Sequence, residues 1–248
     1  MSNLILTTEK QGVFTISLNR LDKKNALTND MYKQLCQHFS YSEKTTSIHC
    51  VVIQGNESCF CAGNDLNDFI QCSDNDELAA LEFVKVLSEF TKPLVAGVAG
   101  AVVGIGTTLL LHCDMVIAAN NSKFKLPFTQ LGLCPEAGSS LLLTQKIGPN
   151  KAFELMVLGN IFNAEQALNY GITNQTCQPN ELLALTADVA QAIANLPVES
   201  VMTSRRLIRQ ANKVALSQVI SDESQAFSHL VNSQECKDIL AKFLNKVR

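Results

Sequence analysis

PLVAGVAGAVVGIGTTLLL, residues 93–111, is the stretch on which the fold turns. Its nineteen residues carry no ionisable side chain and come close to the about 20 that cross a bilayer. Gly100 and Gly104 even have the spacing of a membrane helix pair, but no flanking Lys/Arg cluster or aromatic belt accompanies them, so a span is not expected. Gly97, Gly100, Gly104 and Gly106 instead divide the stretch into a β-type run over 94–98, a tight connection, and a helix beginning near Gly104. The first turn of such a helix has backbone N–H groups without partners and a partial positive charge, which suits it to an anion or a developing oxyanion. A nucleotide reading fits poorly, because Gly104-Ile105-Gly106-Thr107-Thr108-Leu109 lacks the third glycine of the dinucleotide fingerprint and has no P-loop lysine.

Working outward, 248 residues suffice for one large domain, or a main domain with a smaller terminal unit. Hydrophobic residues make up 46% and aromatics only 6%, without Trp, so the core must be aliphatic. A net charge of −3 argues against general nucleic-acid binding, which rests on basic neutralisation of phosphates. Nine dispersed cysteines, with Cys59 and Cys61 the closest pair and no Cys-x-x-Cys spacing, indicate a reduced intracellular protein rather than a disulfide scaffold or zinc site. Neither a secretory leader nor a peroxisomal tripeptide is visible, and a cytoplasmic location is expected.

Residues 4–8 and 13–18 alternate as two short strands of a hairpin, followed by the polar loop 19–27. Thr28 or Asn29 can cap a helix carrying Met31, Leu35 and Phe39 at helical spacing, and 50–54 is a buried strand type. A loop over 56–65 follows, with Asp65 able to cap a short turn. Residues 71–77 are polar and expected to be mobile ahead of a helix over 78–90. Helices are expected at 139–146, 151–158 and 164–170, the last closed by Gly171, with a final short strand at 172–175. From Glu181 onward come three or four helical segments, interrupted at Pro197 and at a Ser221-Asp222 cap. Arg205, Arg209 and Lys213 share one helical stripe, which reads as a solvent face, and His112 reads as a packed histidine. Strands first and helices after them suggest an α/β core over 1–195 and a helical region over 196–248 that serves assembly.

Phe60-Cys61-Ala62-Gly63-Asn64-Asp65, then 99–106, preceded by the Asn-Arg…Asn-Ala-Leu pattern of 19–27, together resemble the crotonase superfamily of acyl-CoA enzymes across essentially the whole chain. The resemblance implies a crotonase-like ββα superhelix. It also implies a thioester carbonyl held between two backbone N–H groups, which motif position puts at Ala62 and Ile105. Removing a proton beside a thioester makes an enolate, and one fixed donor to its oxygen is typically worth about 2.7 to 4 kcal/mol of barrier. For the coenzyme A portion, the resemblance implies Lys23 and Lys24 for phosphates, and Ala26 with Ala62, Gly63, Asn64, Asp65 and Leu66 as a cradle. It implies no metal or redox cofactor, coenzyme A being part of the substrate, and a homotrimer or a dimer of trimers.

Hydratases of this family use two glutamates, and the positions matching them here are Thr108 and Phe128, neither a carboxylate. One acid remains in 130–140, Glu136, and this loop with the Asn64 variant closely resembles the Δ3,Δ2-enoyl-CoA isomerases of the peroxisomal type. One base suffices for an allylic shift in fatty-acid β-oxidation, with Glu136 taking a proton from C2 of a 3-enoyl thioester and returning it to C4. Read blandly, Glu136 is an acid just ahead of the helix at Ser139, where negative charge favours the helix end. A catalytically silent acyl-CoA binding module, or another crotonase reaction such as hydration or thioester hydrolysis, stands as the alternative.

Overall fold

The computed structural model describes residues 3–71 and 79–247. The strands are β1 (Ile5–Lys10), β2 (Val13–Leu18), β3 (Cys50–Gln54), β4 (Leu94–Val98), β5 (Ala101–Val103), β6 (Met115–Ala119), β7 (Lys123–Lys125), β8 (Phe162–Asn163) and β9 (Gln175–Cys177). The main sheet has the order β1-β2-β3-β4-β6-β9, antiparallel only between β1 and β2. A smaller sheet, β5-β7-β8, stands off it. Buried strands such as Cys50–Gln54 and Leu94–Val98 read as continuous apolar runs because helices cover both faces, as parallel pairing requires.

The helices are α1 (Asn29–Lys44), α2 (Leu66–Gln71), α3 (Ala79–Glu89), α4 (Ile105–Thr108), α5 (Ser139–Ile147), α6 (Pro149–Phe153), α7 (Ala164–Asn169), α8 (Leu182–Ala194), α9 (Val198–Gln210), α10 (Lys213–Val231) and α11 (Gln234–Val247). Thr28 caps α1 through its hydroxyl, which accepts from the Met31 N–H, and Met31, Leu35 and Phe39 face the core. The core is mostly aliphatic, but it also takes in most of the chain's aromatic rings, among them the tilted or edge-on Tyr32, Phe39, Phe83 and Phe90 and the stacked pair Phe124 and Phe162. Among the described residues no helix is long and apolar enough to cross a membrane.

Several expectations change. The helix expected at 151–158 starts at Pro149 and finishes as a wider π turn over Glu154–Leu158. The last strand lies at Gln175–Cys177 rather than 172–175, because Asn174 is used to bond Val116 at the sheet edge. Ser221-Asp222 is not a break, since α10 runs unbroken through it. The polar segment expected to be mobile falls almost wholly outside the described residues.

The largest departure is the basic stripe of α9. Asp114, just ahead of β6, accepts from Arg205 Nε at 2.7 Å and from Arg209 Nη2 at 2.8 Å, while Arg205 Nη1 reaches the Phe90 carbonyl at 2.7 Å. Arg205 is therefore buried, and the pair fastens the helical C-terminal region to the start of β4, where the Leu94 N–H donates to the same carboxylate. Removing one partner of a buried pair strands the other charge, a loss of about 3 to 5 kcal/mol. Asp114→Asn is expected to lower unfolding free energy by about 3 kcal/mol, near the lower end because Asp114 is partly exposed, as read by denaturant titration.

Candidate active site

The site begins with a backbone register. Phe60 N–H donates to Ala99 O at 2.7 Å, Cys61 N–H to Ala101 O at 2.9 Å, and Val103 N–H to Cys61 O at 2.9 Å. Residue 61 is thereby bridged to Val102 in parallel. Two residues beyond each bridge partner stands a glycine, Gly63 with φ +97° and Gly104 with φ +54°, so the two chains turn away at the same level. A Cβ on Gly63 would lie 3.1 Å from Val103 O, so close approach and positive φ both require glycine here.

Just past these glycines lie Asn64 and Ile105, the latter opening α4. Among the described residues neither backbone N–H makes a hydrogen bond, and both residues line one cavity of about 820 Å3. The expectation that Ala62 supplies the first free amide is overturned, because its N–H donates to Lys24 O at 2.9 Å and has no proton left to offer. The loop 20–27 causes this by folding back on the motif. Lys24 and Asn25 adopt positive φ, Asn25 Nδ2 donates to Phe60 O at 2.9 Å, and Leu27 exchanges bonds with Gly63 O and Asp65 N–H. Asp65 is held in turn by Arg20 Nη1 at 2.7 Å.

Glu136 lines the same cavity. It precedes Ala137 and Gly138, both at positive φ, so the chain turns sharply before α5 and the side chain is left facing inward. Its carboxyl is buried, and Thr108 Oγ1 donates to Oε1 at 2.5 Å. Burial pushes its pKa up to about 8, the Thr108 hydrogen bond pulls the other way, and the charge of Glu223 adds to the rise. With Oε1 engaged, Oε2 has no hydrogen-bond partner among the described residues. The helix-end role that Glu136 was weighed against belongs to Glu223 on α10, whose carboxylate accepts from the amides of Gly138 at 2.6 Å and Ser140 at 2.9 Å. His112, its pKa lowered to about 4 by burial, stays neutral and donates from Nε2 to the Ala137 carbonyl at 2.7 Å, pinning the same turn.

Lys23, Lys24, Ala26, Ala62, Gly63, Asn64, Asp65, Leu66, Ile105 and Glu136 all line this one cavity. Phe128 lines it too, and Thr108 sits beside it through its bond to Glu136. Sequence reasoning missed Lys125 at the cavity wall, Glu223 behind the loop, and Phe227 and Phe243 from α10 and α11. No local pattern marks Glu223, since its partners lie more than eighty residues away. The arrangement brings two free amides and one raised-pKa carboxyl together around an apolar space, which suits removal of a proton next to a carbonyl.

The enoyl-CoA hydratase/isomerase family profile matches residues 8–248. The chain belongs to this family. It is 32% identical over 251 residues to the 2,3-dehydroadipyl-CoA hydratase of Escherichia coli K12, covering 99% of this chain and 97% of that one. It is 30% identical over 250 residues to human enoyl-CoA delta isomerase 2, covering 98% of this chain and 63% of that longer protein. The solved structure of Pseudomonas aeruginosa OdaA superposes with a TM-score of 0.95 at 38% identity, over 98% of this chain and 99% of that one. The crotonase fold read from the motifs is thus the fold of this protein, a hydratase/isomerase-family enzyme.

Two substitutions around Glu136 are expected to move its titration in opposite directions. Thr108→Val removes the hydrogen bond that favours the carboxylate, so the pKa read from kcat/KM against pH rises above that of the unaltered enzyme. Glu223→Gln keeps a cap acceptor but removes a neighbouring negative charge, so the same pKa falls. A Thr108→Val profile that does not shift upward would disconnect the hydroxyl from the Glu136 titration.

Proposed function

We propose that this protein is a Δ3,Δ2-enoyl-CoA isomerase that draws the C=C bond of a 3-enoyl-CoA into conjugation with its thioester. The supporting observation is Glu136, the carboxyl of the cavity that is buried, raised in pKa and free at one oxygen. Of the other acids lining the cavity, Asp65 is paired with Arg20 and Asp22 lies exposed near the mouth. The positions matching the two hydratase glutamates hold Thr108 and Phe128, so a second proton-moving carboxylate is missing from where water addition would use it.

In the reaction, the Glu136 carboxylate takes the proton from C2 of the 3-enoyl thioester. The C2–H electron pair spreads through the thioester carbonyl and the C3=C4 bond as a dienolate. The amides of Asn64 and Ile105 donate to the enolate oxygen, the charge that develops only as the proton leaves. Glu136 then returns the proton from Oε2 to C4, and the double bond is left between C2 and C3. Lys23 and Lys24 meet coenzyme A phosphates at the mouth, with 62–66 and Ala26 along the pantetheine and adenine. Likeness to a protein named a hydratase favours a second reading, hydration of a 2-enoyl-CoA. Spectroscopic assays with 3-enoyl-CoA and 2-enoyl-CoA side by side separate the two. The isomerase reading fails if only water addition is seen.

Glu136→Gln is expected to lower isomerase turnover by about 10² to 10⁴ while leaving acyl-CoA binding within a few-fold. Turnover at the unaltered rate would reject the base. Because only the carboxylate can take the first proton, kcat/KM of the unaltered enzyme should climb with pH through an apparent pKa near 8.

The same shift sets a stability difference. A carboxyl whose folded pKa lies above its unfolded value contributes stability that is fully present below the unfolded pKa and is lost as pH rises through about 8. Glu136→Gln, a neutral side chain that still accepts from Thr108, is therefore expected to gain Tm relative to the unaltered enzyme as pH is raised from 5 to about 8.5. A pH-independent difference in Tm would contradict the buried, raised carboxyl.

A further inference from the structure

Asn64 offers more than its main-chain amide. Its side-chain Oδ1 accepts the hydroxyl proton of Tyr32, which reaches it from the wholly buried face of α1, where its ring packs against Phe83 at a centroid distance of 5.6 Å. A buried phenol that gave its proton to nothing would lose the worth of a hydrogen bond, and Asn64 Oδ1 is the acceptor this phenol has among the described residues. That fixes which end of the side-chain amide faces Tyr32, and Nδ2 is the other end. Nδ2 makes no hydrogen bond among the described residues, and it is not one of the fully buried unsatisfied atoms, so the nitrogen keeps some accessible surface. The accessible space beside Asn64 is the cavity that Ile105 and Glu136 share. Burial raises the pKa of Tyr32 far above the phenol range, with the charge of Glu136 contributing, so the phenol stays a donor at every pH where Glu136 works.

We propose that Asn64 Nδ2 is a third donor to the thioester oxygen, held in that orientation by Tyr32 as a positioning residue. This rests on the acyl-CoA reading of the cavity, and it adds a side-chain contact to the two main-chain ones. Asn64 would then be a residue whose identity, and not only its backbone, sets how strongly the enolate is stabilised. Tyr32 never touches substrate. Its part is to prevent the side-chain amide from turning its oxygen, a second negative dipole, toward the developing charge.

The test uses acetoacetyl-CoA, whose acidic C2 proton gives an enolate with its own near-ultraviolet band and without turnover. Titrating the full-length protein with bound acetoacetyl-CoA should show an enolate pKa below that of the free ligand. Asn64→Ala keeps the main-chain amide and should raise the bound pKa by about one unit, the tenfold loss expected of one hydrogen bond, and should weaken binding of a saturated acyl-CoA, whose neutral carbonyl draws less from the same donor, by a smaller factor. Tyr32→Phe should give part of that rise, and the double variant no more than Asn64→Ala alone. Asn64→Asp keeps the Tyr32 bond, so it covers the case of Tyr32→Phe failing to fold, and it should raise the pKa further than Asn64→Ala by placing like charge beside the enolate. An unchanged enolate pKa in Asn64→Ala, or additive effects in the double variant, would overturn the inference. Since the band is read without catalysis, a protein that holds the enolate yet leaves 3-enoyl-CoA unshifted counts against the isomerase reading alone.

Discussion

The parallel pairing of residue 61 with Val102 is the constraint from which the site follows. Neighbouring parallel segments keep their residues in step, so glycines two places beyond the pairing stand level with each other, and both chains can bend there at positive φ. What emerges beyond the bend is a pair of main-chain amides with no partner among the described residues. Such amides need no side chain and no rearrangement to meet an oxyanion, so the branched side chain of Ile105 does not prevent its amide from being one. The loop 20–27 is the other half of the arrangement. By taking the Ala62 amide and bracketing Asn64 through Leu27, it decides which peptide stays open.

Glu136 illustrates how a reactive group is kept in a state that folding by itself disfavours. Burial lifts its pKa to about 8, well above an ordinary carboxyl, so it holds its proton at neutral pH. The turn that presents it is strained at Ala137, eased at Gly138, and secured from three directions, by Thr108 on the carboxyl, His112 on the Ala137 carbonyl, and Glu223 on the amides of Gly138 and Ser140. A non-glycine residue at positive φ persists only where its surroundings over-determine it, and here they do. Glu223 comes from α10, and Phe227 and Phe243 come from α10 and α11, so residues 196–248 help to build the candidate cavity directly.

Much of this was legible in one dimension. Glycine punctuation of an uncharged run announced a strand, a turn and a helix start. Ordered motifs at 19–27, 60–65 and 99–106 announced the fold, and the acids present or missing at 108, 128 and 136 narrowed the chemistry. These are local facts, written as residue types at fixed spacing, and local backbone preferences act on them directly. The helical stripe at Arg205 and Arg209 could not be read so, because a stripe of arginines looks the same whether it meets water or an aspartate ninety residues away.

What the sequence by itself determined, then, is which backbone shapes are possible and which functional groups are available: Gly63 and Gly104 to turn, Glu136 as a carboxyl in the 130–140 loop, a largely aliphatic core without tryptophan. Only the tertiary structure decided which of those groups are left uncommitted. The Ala62 amide is bound by Lys24 and that of Asn64 is open, and Glu136 is buried facing Thr108 while Glu223 caps the helix behind it. The reason is physical: a hydrogen-bond partner or a low-dielectric wall is supplied by whatever segment folds against a residue, and that segment can lie anywhere along the chain.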